Sequence, residues 1–118
     1  MTDRVSGECH CGAVQLSAPR PEAVTDCNCT MCSKRGGLWA YYPGDDVTIA
    51  GPTATYVRAD VTEAFLATHF CATCGCTTHW TPLSDPPHAR IGVNARLLEW
   101  GTLDGVEVRQ CDGRSWPF

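Results

Sequence analysis

The chain has 118 residues, 43% of them apolar and 19% charged, ordinary globular usage that excludes disorder, collagen and low-complexity repeats as descriptions of the whole. A chain of this length buries roughly two-thirds of its unfolded surface on folding, so one domain spanning residues 1–118 is expected. Nine basic side chains against 13 acidic ones give a formal charge of -4, which argues against a sequence-independent grip on nucleic acid or anionic lipid. The longest apolar run, Leu38 to Tyr42, is far short of the roughly 20 residues of a membrane span.

From the amino terminus, MTDRVSGECHCG carries Asp3 and Glu8 where a secretory signal is uncharged, and it lacks an apolar core; a reducing cytoplasm is therefore the expected compartment. Val14 and Leu16 alternate with Gln15 and Ser17, which predicts a strand from Ala13 to Ser17. A turn or two of helix is predicted near Thr30 to Arg35. Trp39, Tyr41 and Tyr42 follow in a strand, with two rings expected in the core and one left to wall a pocket. Val47 and Ile49 flank Thr48 in a further strand, and Tyr56, Phe65 and Phe70 lie in short segments rich in Thr, Val and aromatics. Val61 to Leu66 offers a second short helix. Turn signals recur at Pro19/Pro21, Gly36-Gly37, Pro43-Gly44, Gly51-Pro52 and Pro86-Pro87. The stretch Thr81 to Pro87 reads as a surface loop, and Asp104-Gly105 as a hairpin turn between Trp100 to Leu103 and Val106 to Arg109. These elements describe a mainly β domain.

Cysteine is the anomaly, at nine of 118 residues. Cys9/Cys11 and Cys27/Cys29 are one residue apart, too close to bridge each other without strain, and such clustering suits a metal. In an extended CxC both sulfurs point to one side and reach one ion, which turns His10 away as a half-exposed strand histidine. Cys71-Ala72-Thr73-Cys74-Gly75 has the form of a zinc knuckle, its glycine permitting the positive φ that turns backbone N–H groups toward the sulfurs. Cys27-Asn28-Cys29-Thr30-Met31-Cys32 places three thiolates in one loop.

Zinc favours four ligands, so Cys9, Cys11, Cys71 and Cys74 make a closed structural site. Cys27, Cys29 and Cys32 leave a coordination position open for substrate, unless Cys76, Cys111 or a histidine fills it and both ions are staples. Two zincs per chain are expected. They make the loaded protein more acidic than its composition, since zinc with four thiolates carries -2 and with three -1.

Gly7-Glu8-Cys9-His10-Cys11-Gly12-Ala13-Val14, Cys27-Asn28-Cys29-Thr30-Met31-Cys32 and Phe70-Cys71-Ala72-Thr73-Cys74-Gly75 resemble the GxCxCGxV, CxCxxC and FCxxCG signatures of the glutathione-dependent formaldehyde-activating enzyme family, whose domain also occurs in centromere protein V. Val93-Asn94 with Gly101-Thr102-Leu103-Asp104 resembles the family's later VN...GTLD segment. The resemblance implies a zinc-bound β-tent (Mss4-like) fold of short antiparallel sheets, with Cys9, Cys11, Cys71 and Cys74 on a structural zinc. It puts Cys27, Cys29 and Cys32 on the reactive one, and it implies carbon–sulfur lyase activity with glutathione or another small thiol and an aldehyde as partners.

Chemically, zinc held by three thiolates is soft and favours a fourth sulfur, so a thiol is its natural guest, activated as a nucleophile for an aldehyde carbon. His69, His79 and the Thr30 hydroxyl are candidates for proton transfer, although a histidine beside a zinc knuckle more often packs or supports a ligand, and Lys34 and Arg35 are candidates to meet a glutathione-like carboxylate or else solvated surface charge. Two readings of other classes compete with this one. A zinc-stapled binding module without catalysis is favoured by a closed triplet. An oxidoreductase is suggested by Arg109-Gln110-Cys111-Asp112, which faintly resembles the reactive segment of B-type methionine sulfoxide reductases. The CxC forms count against the latter, whose zinc ligands are two CxxC pairs.

Overall fold

The computed structural model describes residues 3–83 and 90–115. Among the described residues, ten strands and one short α-helix follow in order: β1 (Arg4–Glu8), β2 (Gln15–Pro19), β3 (Ala23–Cys27), α1 (Thr30–Arg35), β4 (Trp39–Pro43), β5 (Thr48–Ala50), β6 (Thr53–Tyr56), β7 (Leu66–Cys71), β8 (Thr77–Pro82), β9 (Arg90–Asn94) and β10 (Glu107–Cys111). They form a three-stranded sheet, β1-β2-β5, and a seven-stranded sheet ordered β10-β3-β4-β9-β8-β7-β6. Among the described residues no helix is long and apolar enough to cross a membrane.

Period-two patterning decides which faces meet. Leu16 and Ala18 of β2 turn inward with Val5 of β1 and pack against Val24, Ala40, Tyr42 and Val93 of the large sheet. Burying a Val or Leu side chain is worth about 1.5–3 kcal/mol, and this shared apolar layer joins the two sheets. Tyr42 reaches through it to donate its hydroxyl hydrogen to the Pro19 carbonyl at 2.7 Å. Buried Asn94 supplies polar order at the end of β9. Its Oδ1 accepts from Leu38 N at 3.3 Å and Arg96 N at 3.2 Å, and its Nδ2 donates to the Thr77 carbonyl at 2.8 Å. One side chain thereby links the approach to β4, the start of β8 and the turn after β9, satisfying backbone groups that burial would otherwise leave costly.

The helix near Thr30 is present and ends on Gly36 in the left-handed region at φ 71°. Other expectations change. Cys9 to Val14 is a turn, not extended strand: Gly12 adopts φ 81° and its N–H bonds the Cys9 carbonyl at 3.0 Å, so β2 starts at Gln15. Val61 to Phe65 is irregular, and β7 begins at Leu66.

The hairpin at Asp104-Gly105 does not form. Thr102 N, Asp104 N and Val106 N bond the carbonyls three residues back, which coils Trp100 to Leu103 into successive tight turns. The strand after it instead joins the edge of β3 in parallel, one parallel pair in a sheet of short strands that is otherwise antiparallel. Pro86-Pro87 and most of the loop read at Thr81 to Pro87 lie outside the described residues.

Candidate metal centres

Two groups of thiols come together, and they are the two groups whose spacing suits metal. In the first, Cys9, Cys11, Cys71 and Cys74 bring their sulfurs within 4.8 Å of one another. The turn of residues 9–14 supplies one half and the turn joining β7 to β8 the other, so the cluster ties the small sheet to the large one. The Cys9–Cys11 and Cys11–Cys71 sulfur separations are 3.7 and 3.6 Å, against about 3.8 Å between thiolates on a tetrahedral zinc with 2.3 Å bonds.

Backbone N–H groups face these sulfurs. Val14 N points at Cys9 Sγ at 3.3 Å, and Thr73 N and Cys74 N at Cys71 Sγ at 3.3 and 3.4 Å. The N–H donors of Cys74 and Thr73 hold the Cys71 thiol below its ordinary pKa. Those of Cys76 and Cys11 bring Cys74 down to about 5. Gly75, at φ 84°, makes the turn that aims them. Donors arranged for charged sulfur are what a thiolate–metal site requires, and the donor set fits zinc.

In the second group Cys27, Cys29 and Cys32 are all buried and mutually within 4.8 Å. Cys27 ends β3; Cys29 caps α1, its sulfur accepting from Cys32 N at 3.3 Å; Cys32 lies one helical turn on and accepts from the Trp39 indole N–H at 3.3 Å. Burial pushes the Cys32 thiol up, opposed by the Trp39 donor and reinforced by the neighbouring thiols. Cys27 is likewise raised, first by burial. Burial also acts against ionising Cys29, but the Cys32 N–H, then the Cys32 and Cys27 thiols and lastly the Arg58 guanidinium outweigh it, and its pKa is lowered. Three sulfurs this close can share negative charge only beside a cation, which a metal ion would supply.

These thiols floor a cleft of about 110 Å³. Met31, Trp39, Leu66 and Trp80 wall it, and Tyr41, Phe65 and Arg90 stand around them. Gly92 lets the Trp80 indole lie against β9, where a Cβ would collide with the ring. Of the three aromatics in the strand after α1, Trp39 and Tyr42 are buried in the core and Tyr41 stands more exposed at the cleft, as expected, with one edge of Trp39 also lining the cleft.

Arg58 has no forerunner in the sequence reading. Its side chain is only 7% exposed, its Nε and Nη2 donate to the Asp60 carboxylate at 2.7 and 2.9 Å, and its Nη1 is 3.9 Å from Cys29 Sγ. Thr30 Oγ1 also donates to Asp60, at 2.9 Å. An arginine two residues before an aspartate is no recognisable motif, and only the return of the chain after β6 brings residue 58 over residue 29.

The other expected site residues lie elsewhere. Lys34 is exposed and Arg35 stacks over the Tyr56 and Phe70 rings at 5.2 and 5.3 Å; neither lines the cleft. His69 and His79 are paired across β7 and β8 and stack on each other with centroids 4.2 Å apart. Strand alternation puts them on the face opposite Trp80, away from the cleft. Burial, and for His79 also the neighbouring His69, favours the neutral rings, bringing His79 down to about 4. His10 is exposed in the turn of the first cluster.

The family model for the glutathione-dependent formaldehyde-activating enzyme matches residues 4–113. The crystal structure of a Rhodobacter sphaeroides protein, a structural-genomics target, superimposes with a TM-score of 0.64 at 30% identity, over 89% of this chain and 98% of that one. The mainly β architecture is consistent with the Mss4-like fold of that family. Both signature cysteine clusters are assembled in space, and the family match runs through both of them; the chain belongs to the glutathione-dependent formaldehyde-activating enzyme family.

Proposed function

We propose that the protein is a zinc-dependent carbon–sulfur lyase of the formaldehyde-activating type, working as a single domain in the reducing cytoplasm, where clustered thiols stay reduced. It joins glutathione or another small thiol to an aldehyde as a hemithioacetal, or cleaves such an adduct. Cys9, Cys11, Cys71 and Cys74 hold a structural zinc; Cys27, Cys29 and Cys32 hold the second. The observation that carries this reading is the placement of a buried three-thiol group on the floor of an apolar cleft.

A zinc ion there supplies a soft Lewis acid that favours sulfur and lowers the pKa of a thiol. The protein's own residues do the rest. Trp39, Trp80, Met31 and Leu66 exclude water and hold the carbon atoms next to the reacting sulfur. Arg58, fixed by Asp60, places positive charge beside Cys29 and offsets the negative charge that gathers as thiolates accumulate. In the synthetic direction a sulfur–carbon bond forms, the thiol proton leaves and the carbonyl oxygen gains a proton; cleavage is the reverse.

The test is metal stoichiometry and zinc-edge X-ray absorption with and without glutathione, beside an assay of thiol plus formaldehyde condensation. Two zincs, a change in sulfur coordination at one of them on adding thiol, and condensation above the uncatalysed rate are expected. Two zincs with no response to any thiol tried and no condensation would leave a stapled binding module instead.

A further inference from the structure

Cys111 has no part in the proposed function, yet its position is specific. β10 lies parallel to β3 with Cys111 directly opposite Cys27, and directly paired residues project from the same face of a sheet. Cys111 packs against the group of Cys27, Cys29, Cys32 and Trp39 and lines the same cleft.

The segment following it is fastened across the thiol loop. Asn28 N donates to the Cys111 carbonyl at 3.0 Å, Asn28 Nδ2 to Asp112 Oδ1 at 2.9 Å, and Arg114 N to Asn28 Oδ1 at 3.0 Å. Gly113 passes so close that a Cβ there would stand 2.6 Å from Cys27 Sγ and 2.9 Å from Cys29 Cβ. Cys111 is thus held beside the three-thiol loop by the segment that follows it.

We infer that Cys111 is a fourth, exchangeable thiolate ligand of the second metal site, closing it at rest and giving up its place to an incoming small thiol. This rests on the reading that Cys27, Cys29 and Cys32 bind zinc. Its sulfur is not within the 4.8 Å mutual distance of the triplet, so a side-chain rotation brings it on to the metal and the reverse rotation releases it. Exchange is balanced without redox change: one metal–sulfur bond breaks as another forms, and the proton of the incoming thiol ends on Cys111. A four-thiolate resting state keeps water off the metal, and a ligand on an edge strand leaves more readily than one in the α1 loop.

The test is cadmium-113 NMR of protein loaded with cadmium at both sites, comparing wild type with Cys111→Ser and Cys111→Ala. The cadmium shift reports the number of bound thiolates. Wild type is expected to give two four-thiolate resonances. In both variants the second should move upfield to a three-thiolate position and return downfield on adding glutathione, while the first stays put. Two bound cadmium ions with the same second resonance in wild type and variants would overturn the role of Cys111 alone. One bound cadmium in every protein would remove the second metal site and overturn both readings.

Discussion

Replacing Gly113 by alanine tests whether the carboxy-terminal segment shapes the second centre. The added methyl would lie 2.6 Å from Cys27 Sγ and 2.9 Å from Cys29 Cβ, where carbon contacts need about 3.5–4.0 Å. Roughly 1 Å of displacement is required, and overpacking of this kind costs about 1–3 kcal/mol. The neighbour that must give is a sulfur or the backbone carrying it, so the cost falls on the geometry of the triplet. Converted at about 1.4 kcal/mol per decade, second-site zinc affinity should fall about 5- to 140-fold.

The assay is competition with a chromophoric chelator, reading each zinc equivalent separately, beside circular dichroism. Gly44→Ala is the control, because its Cβ would meet only Ile91 Cγ2 at an ordinary 3.9 Å. Gly113→Ala should lose the second zinc early while the first zinc and the β signal persist. Unchanged affinity for both equivalents would refute the view that residues 111–113 lie against the site.

Other outcomes follow from the same geometry. Cys71→Ser should abolish the cooperative thermal transition, because its cluster joins segments some 60 residues apart and structural zinc energy is folding energy; Cys29→Ser should keep that transition and lose thiol–aldehyde condensation. Equal unfolding of the two variants would make the triplet structural. His79, whose folded pKa is depressed to about 4, should titrate by NMR well below the usual value of about 6.5. The unfolded chain takes up that proton first, so its contribution to stability falls as pH drops from about 6.5 to about 4, and His79→Gln should lack that component. Asp60, held well below the usual carboxylate range by Arg58 and then Thr30, should stabilise fully above about pH 4 and lose its contribution only as pH falls further; the gap in melting temperature between wild type and Asp60→Asn, scanned against pH, checks this.

Much of the metal chemistry was legible in the chain itself, because short-range spacing limits where sulfurs can go. A CxxCG can hardly avoid a turn with both thiols on one side, and three cysteines in six residues around the start of α1 must converge. Alternation likewise marked β2 and β5, since burying one face of a strand leaves a period of two whatever it packs against. The CxC turn at Cys9 was misread as extended because Gly12 allows a left-handed conformation that alternation does not register.

What the tertiary structure decided is everything that depends on which distant segments meet. Tight turns over Trp100 to Val106 redirected β10 from a hairpin to the free edge of β3, and that choice set Cys111 against Cys27. The return after β6 placed Arg58 over Cys29, and the β7–β8 register stacked His69 on His79 away from the cleft. Local pattern constrains residues a turn or a strand apart. Contacts across 30 to 80 residues are settled by the competition among sheet edges and apolar faces, which no window of sequence contains.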